Sequence, residues 1–470
     1  MTTPLHAGLG DPDSLRHVHV VGVGGAGMSA IATVLAAMGH DVSGSDLRES
    51  GVTERLRSLG IAVTIGHDAS NVGDAGLVTH STAVHADNPE VAEATRRGVP
   101  VLSRAETLAA IAERKRCIAV AGTHGKTTTA SMLALALVEA GLHPSFLIGG
   151  EVNDIGTNAV WDDGEWIVVE ADESDGTFLH LVPDIAIVTN VEADHLDHYG
   201  SFDAVRTAFI EFVSSARHRV VGGDDAEALA IGRTVGADIV GLGADATFAI
   251  ASVATGRSSV SFDLLGPDGA LVIHLQVAVP GLHNAKNAAM ATVAALAAGA
   301  PADAAARALA RFGGVARRFE FRGERGGVTF VDDYAHLPTE VRAALSAARN
   351  GSWGRVVAVF QPHRYSRTAD VGEEFGGAFD DADVVVVTDV YGAGEAPVPG
   401  VSGRLVADAV RRARPDVELY YVPGRSDLVD AVAALVRPGD LCLTLGAGDL
   451  TSLPDEVMAA GGPETGGGRR

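Results

Sequence analysis

Short apolar runs, each stopped by glycine or polar residues, alternate along the chain with stretches whose apolar positions recur at helical spacing. The first run, Val18-His-Val-Val-Gly-Val23, is followed by glycines and by a helix expected from Met28 to Gly39, where the glycine suits a C-cap. Further runs at 77–80 and 99–102 continue the pattern as βαβ units. A charged break, Glu113-Arg-Lys-Arg116, precedes a second block. It opens with the strand Cys117-Ile-Ala-Val-Ala121, a glycine loop, and a helix expected from Thr127 to about Glu139. Two more runs, Trp166-Ile-Val-Val169 and Ile185-Ala-Ile-Val-Thr189, end in polar residues, as parallel strands do when their C-terminal ends face a site. Alternation from Thr247 to Val279 around the turn Gly266-Pro-Asp-Gly269 predicts antiparallel strands, and an alanine-rich helix follows from about Asn284 to Ala298. A third block begins near Ala316, with strands expected at 328–331, 356–360, 384–388, 419–422 and 441–445 between helical segments. The glycine-rich tail Gly461–Arg470 reads as disordered.

Composition narrows the partners. With 470 residues, 47% of them apolar, the chain can fill several cores. Its formal charge of −24 argues against a nucleic-acid backbone or an anionic membrane as partner, since either surface would repel it. Phosphate ligands then need local positive sites. Lysine occurs only at Lys115, Lys126 and Lys286, so a lysine in a glycine loop stands out. Cys117 and Cys442 lie in apolar runs without metal-type spacing and read as core packing. Met1–Leu15 lacks the apolar core of a signal peptide, and the apolar helix candidate at Met132–Val138 is too short to span a bilayer, so a cytoplasmic location is expected.

The chemistry concentrates in a few segments. Gly122-Thr-His-Gly-Lys-Thr-Thr128 lies between an apolar strand and a helix, so its amides and the positive helix end can surround phosphates. Lys126 is placed to bridge β- and γ-phosphates, and the Thr127 hydroxyl to reach Mg²⁺. The spacing departs from the usual Walker pattern, because Val120 stands five before Gly125 and the leading glycine comes at Gly122. Upstream, Gly22-Val-Gly-Gly-Ala-Gly27 follows a strand and suits a diphosphate at a helix start, with Asp46 near a ribose or base; a dinucleotide cofactor or a tight turn would give the same pattern. Glu170-Ala-Asp-Glu-Ser-Asp175 and Asn190-Val-Glu-Ala-Asp-His-Leu-Asp-His198 are acidic strand ends able to offer oxygen ligands to a hard cation. His195 and His198 could suggest zinc, but phosphate chemistry calls for magnesium. In His283-Asn-Ala-Lys-Asn287, Asn284 reads as an N-cap. Arg317-Arg-Phe319, Asp332-Asp-Tyr-Ala-His336 and His363-Arg-Tyr-Ser-Arg367 cluster in or just before the third block, where Arg364 and Arg367 could grip a small carboxylate.

In order and spacing these segments resemble the Mur ligases, over nearly the whole chain. The resemblance implies an α/β protein of three domains: a Rossmann-like domain at 1–113 for a UDP-sugar, a P-loop-type ATPase domain at 114–315, and a doubly wound domain at 316–470 that closes over ATP and binds the amino acid. Gly22-Val-Gly-Gly-Ala-Gly-Met28 with His363-Arg-Tyr-Ser-Arg367 is similar to the branch that adds L-alanine to UDP-N-acetylmuramate in peptidoglycan precursor synthesis. The implied reaction phosphorylates the lactyl carboxylate with ATP and resolves the acyl phosphate with the alanine amine, in a monomer or homodimer. Carried over by position, Gly122, Thr123, His124, Gly125, Lys126, Thr127, Thr128, Asn284, Asn287, Arg318 and Asp333 would bind ATP. Thr127, Glu170 and His195 would ligate Mg²⁺, with Lys126, Glu170 and His195 catalytic. Gly22, Gly24, Gly25, Gly27, Asp46, Ser81 and Thr82 would hold the UDP-sugar, and Tyr334, His336, Arg364 and Arg367 the alanine.

Two departures bear on these roles. Leu337 stands where such ligases often carry a second histidine after Tyr-Gly/Ala-His, which leaves that position without a role. No lysine lies between Lys126 and Lys286, so the carbamylated lysine of the branches adding later residues is missing, in keeping with the alanine-adding branch.

Overall fold

The computed structural model describes residues 9, 15–81, 83–85, 87–351 and 353–460. The expected disordered tail and the leader segment ahead of Leu15, apart from Leu9, lie outside them. The first sheet consists of β1 (His17–Val21), β2 (Asp41–Asp46), β3 (Ala62–Ile65), β4 (Leu77–His80) and β5 (Val101–Ser103), all parallel in the order β3-β2-β1-β4-β5. The order reverses at β1, so the glycine turn after it opens at the sheet's switch point. The helix there runs Ala26–Ala37, starting two residues before the expected Met28 because the turn ends at Gly25, its N-cap.

The second sheet has β6 (Arg116–Ala121), β7 (Ser145–Val152), β8 (Thr157–Val160), β9 (Trp166–Glu170), β10 (Ile185–Val188), β11 (His218–Gly222), β12 (Asp238–Gly241), β13 (Phe248–Thr255), β14 (Val260–Leu265) and β15 (Leu271–Val277). Their order is β15-β14-β13-β12-β11-β10-β6-β9-β7-β8. β6 lies between β10 and β9, parallel to both, and every residue of Cys117–Ala121 is buried, which explains an apolar run without alternation. The alternating stretch forms β13 to β15, with the Gly266–Gly269 turn closed by a bond from the Gly269 amide to the Gly266 carbonyl at 2.9 Å. The alanine-rich helix is Leu282–Ala297, so Asn284 sits inside the first turn rather than capping it. That corrects the N-cap reading: the helix starts right after Gly281, whose φ of 100° ends the preceding strand connection.

The third sheet joins β16 (Glu320–Arg325), β17 (Val328–Asp333), β18 (Val356–Phe360), β19 (Val384–Val387), β20 (Glu418–Tyr421) and β21 (Leu441–Leu445) in the order β16-β17-β21-β18-β19-β20. All neighbours are parallel except β16, an antiparallel edge strand the sequence pattern did not predict. Its residues Glu-Phe-Arg-Gly-Glu-Arg carry no apolar alternation, because only one edge and part of one face are covered.

The chain forms two compact units. One holds residues up to Val253, Ser261–Val277 and Asn284–Gly313, and so both the first and second blocks; the other holds Ala254–Val260, Ala278–His283 and the chain from Gly314 onward. In the first unit one apolar core runs continuously from Val18, Met28 and Ile31 to Ala119, Val169 and Phe209. Cys117 and Cys442 are free and buried, and burial pushes each thiol up to about 12, so both serve packing. Among the described residues no helix is long and apolar enough to cross a membrane.

Candidate active site

The loops after β6, β9 and β10 converge, since these strands are neighbours and parallel. Gly122 has φ 126°, and a Cβ there would fall 2.1 Å from Thr189 Oγ1; Gly125 has φ 82°, and a Cβ there would fall 2.6 Å from Asn287 Oδ1. Both positions therefore require glycine, for backbone conformation and for space. The segment after β10 clamps the loop. Asn190 accepts from the His124 amide at 2.8 Å and donates to the His124 carbonyl at 2.9 Å, while Thr189 Oγ1 donates to that same carbonyl. The helix Lys126–Glu139 begins at Gly125 with no side-chain cap, which leaves its first amides for an anion.

Lys126 Nζ donates to the Gly122 carbonyl at 2.7 Å and to Glu173 Oε1 at 2.8 Å. Burial opposes the lysine charge, but Glu173, Asp172 and Glu170 together hold its pKa above the ordinary value. Burial pushes the Glu173 carboxyl up against the pull of Lys126, and Glu173 Oε2 is buried without a hydrogen-bond partner among the described residues. Thr127 Oγ1 donates to Glu170 Oε1 at 3.1 Å, and the Gly149 amide donates to Glu170 Oε2 at 2.7 Å. His195 follows β10 in a left-handed conformation, φ 57°, with Nε2 3.4 Å from Asp194 Oδ2. Asn287, 3.5 Å from Asn284, lies against the loop at Gly125. The structure thus brings Gly122–Thr128, Glu170, Asn284 and Asn287 together. Glu173 and Gly149 were missed; the first stood inside a quoted acidic segment, but nothing in sequence distinguished it from its neighbours.

The upstream glycines gather as expected. A Cβ on Gly22 would lie 3.0 Å from Ser81 Oγ, and the Gly24 amide donates to Asp46 Oδ2 at 2.9 Å. Gly25 caps its helix without a side-chain bond. Thr82 lies outside the described residues.

In the second unit Arg317 and Phe319 take left-handed conformations, φ 61° and 49°, that fold the Arg317-Arg-Phe319 turn back on β17. The guanidinium groups of Arg317 and Arg318 lie 4.8 and 5.1 Å from the Tyr334 ring. Tyr334, His336, His363 and Tyr391 follow ring to ring at 5.4, 5.8 and 5.8 Å. Arg367 Nη1 is 3.3 Å from His363 Nδ1. Burial, then His336, Arg367 and Arg364, bring the His363 imidazole down to about 4, and burial also lowers His336, so both rings are neutral at pH 7. Asp333 accepts from the Phe319 and Ala335 amides at 2.8 Å each, and burial raises its carboxyl to about 6. Leu337 cannot cap the helix Pro338–Arg349; Glu340 Oε2 accepts from the His336 and Leu337 amides instead, at 2.9 and 3.2 Å. Tyr334, His336, Arg364 and Arg367 are therefore neighbours, and His363, Tyr391 and Glu340 join them. Tyr391 could not have been found from spacing, since only the pairing of residue 391 beside 363 brings it there.

A glycine loop after β6, open to an anion and lined by a largely buried lysine and carboxylates, with a second glycine turn at the switch point of the first sheet, defines a multidomain nucleotide-binding α/β protein. Residues 17–116 match the family model described as Mur ligase family, catalytic domain; 120–295 match the Mur ligase middle domain, and 317–448 the Mur ligase, glutamate ligase domain. The chain belongs to the Mur ligase family. It is 47% identical over 447 residues to a protein of Rubrobacter xylanophilus named UDP-N-acetylmuramate-L-alanine ligase, covering 94% of this chain and 99% of that one. The crystal structure of the UDP-N-acetylmuramate-alanine ligase of Thermotoga maritima superposes with a TM-score of 0.81 at 30% identity, over 95% of this chain and 98% of that one. A murein peptide ligase of Psychrobacter arcticus shares the fold, with a TM-score of 0.69 at 23% identity.

Proposed function

We propose that this protein is an ATP-dependent, ADP-forming ligase that joins L-alanine to the lactyl carboxylate of UDP-N-acetylmuramate in peptidoglycan precursor synthesis. The observation that carries the reading is Lys126, buried between the Gly122 carbonyl and Glu173 at the open end of its helix, beside the Thr127–Glu170 pair. Relatives named UDP-N-acetylmuramate-L-alanine ligase, 43–47% identical over nearly the whole chain, support the substrates.

The residues suit the groups they would hold. The glycine loop has no room for Cβ atoms at Gly122 and Gly125, and amides open to an anion follow it, as a triphosphate requires. Thr127 and Glu170 offer hard oxygen donors that fit Mg²⁺, with His195 a further candidate ligand. When bound, magnesium would offset repulsion as the carboxylate attacks the γ-phosphate. Lys126 turns from backbone carbonyls to phosphate oxygens, and Glu173 limits where its ammonium can go. Asn287 fixes the loop's far side. At the other substrate, Arg364 and Arg367 hold the alanine carboxylate. The alanine ammonium loses its proton to solvent before its lone pair attacks the acyl phosphate, and the C–N bond forms as phosphate leaves; His336 and His363, both lowered, stay neutral beside the arginines. The glycine turn after β1, with Asp46 and Ser81, receives the UDP-sugar, the three domains divide near residues 113 and 315, and the reaction is cytoplasmic.

The test is ADP release with UDP-N-acetylmuramate and each amino acid in turn, with and without Mg²⁺. L-Alanine with both other components should give ADP and an amide product. ADP formed at the same rate without the sugar nucleotide rejects the assignment.

A further inference from the structure

The helix Arg104–Ala112 is capped without help from its first residue, since Ser103 Oγ accepts from the Glu106 amide at 3.2 Å and Glu106 Oε2 accepts from the Ser103 amide at 2.8 Å. Arg104 is free to do something else. One nitrogen, Nη2, donates to Asp172 Oδ2 at 3.1 Å, Asp175 Oδ2 at 3.2 Å and Thr177 Oγ1 at 3.4 Å. The guanidinium lies against the glycine turn after β1, where a Cβ on Gly27 would come within 3.1 Å of Nη1. Gly27, in the first turn of the helix Ala26–Ala37 that follows, therefore makes room for Arg104, and the arginine reaches from the helix after β5 to the loop after β9.

What it holds is a crowded turn. Asp172, Glu173 and Asp175 put three carboxylates within four residues, with Lys126 paired at Glu173. Asp172 and Glu173 both act on Lys126, but only Glu173 bonds it. The turn's own bonds, from the Ser174 amide to Asp172 Oδ1 and from the Thr177 amide to Asp175 Oδ1, both at 3.0 Å, set its shape without neutralising it. Arg104 is the second cation. With Asp172 and Asp175 engaged by Arg104, Glu173 is left as the partner that aims Lys126 at the phosphate loop.

We propose that Arg104 is a positioning residue of the phosphoryl-transfer site: by neutralising Asp172 and Asp175 from the helix after β5, it directs Lys126 to Glu173. This rests on the ligase reading above. The pair is partly buried, so losing Arg104 also costs some stability. The effect in rate comes on top of that, because a small misplacement of a lysine that must meet phosphate oxygens is costly.

The experiment uses the full chain with ATP, Mg²⁺, UDP-N-acetylmuramate and L-alanine, following ADP release for wild type, Arg104→Gln, Arg104→Lys, Asp175→Asn and the Arg104→Gln/Asp175→Asn double variant. Arg104→Gln should lower kcat about ten- to a hundredfold, with the KM for L-alanine unchanged within about twofold. Arg104→Lys should recover part of the loss, and the double variant should be no slower than Arg104→Gln. A kcat at the wild-type level in Arg104→Gln, or losses that multiply in the double variant, overturns the assignment. If Arg104→Gln does not fold, Arg104→Lys decides: a smaller fall in kcat with an unchanged KM for L-alanine supports the proposal, and wild-type kcat overturns it. A wild type that releases no ADP removes the ligase reading itself, whereas an active wild type with an equally active Arg104→Gln removes only the role of Arg104.

Discussion

Gly149 holds Glu170 from behind: its amide donates to Glu170 Oε2 at 2.7 Å, and a Cβ on it would fall 2.8 Å from both carboxylate oxygens. Glu170 thus points at Thr127 because residue 149 has no side chain. Gly149→Ala should push the carboxylate off Thr127 and cut ADP release about tenfold or more. Residue 149 is exposed, so the thermal midpoint should move little. Steady-state rates over a Mg²⁺ titration check this, and an unchanged Mg²⁺ requirement would show that Glu170 needs no such support.

Removing Lys126 should have two separable effects. Turnover should be abolished, while UDP-sugar binding at the glycine turn after β1 stays largely intact, as calorimetric titration would read. Stability should also fall, by about 3 kcal/mol, because a buried carboxylate loses its partner. The sign follows from Glu173, whose carboxyl is raised by burial even with Lys126 present. A raised acid favours the folded state while protonated, so the penalty is absent below the ordinary carboxylate range and grows as pH rises through the raised value. The gap in thermal midpoint between Lys126→Ala and wild type should therefore widen from pH 5 to pH 8; a constant gap would mean Glu173 is not the group left unpaired.

Much of this site is legible in the sequence because its backbone needs are local. Gly122 and Gly125 are glycines for φ and for space, and a strand run before them with a helix after them locates the loop. What spacing does not carry is which long-range neighbour fills that space. Thr189 and Asn190 clamp the loop only because β10 is paired beside β6, and Asn287 closes it only because its helix returns to that edge. The same limit hid Tyr391, Gly149 and the edge strand β16, whose polar composition gives no period to read. Asn284 suits an N-cap by residue type, but the helix already begins at Leu282, which residue type alone does not reveal.

The magnesium-ligand roles proposed for Thr127 and Glu170 can be tested by conservative change. Thr127→Ser keeps the hydroxyl and should leave the Mg²⁺ concentration for half-maximal rate near wild type. Thr127→Val keeps the shape and loses the oxygen, so that concentration should rise about tenfold or more. Omitting Mg²⁺ or adding a chelator should stop ADP release in every variant. Equal Mg²⁺ dependence in the serine and valine variants would remove Thr127 from the metal site.

His363 gives the second unit a pH dependence that can be read without substrate. Its Nδ1 lies 3.3 Å from Arg367 Nη1, so the neutral ring accepts there, and His336, Arg364 and Arg367 all oppose a charge on it while Glu395 favours one. The folded value of about 4 lies below the ordinary 6.5. A histidine depressed in this way contributes stability that is complete above 6.5 and is lost as pH falls toward 4, because the unfolded chain takes up the proton first. Wild type should therefore lose thermal stability between pH 7 and pH 5 by more than His363→Asn does, with His336, also lowered, contributing to the loss in both. Calorimetric scans of the two proteins across that range decide it. Parallel curves would mean that His363 is no more shielded from protonation in the fold than in the open chain, and that the neutral imidazole beside Arg367 is not a property of this pocket.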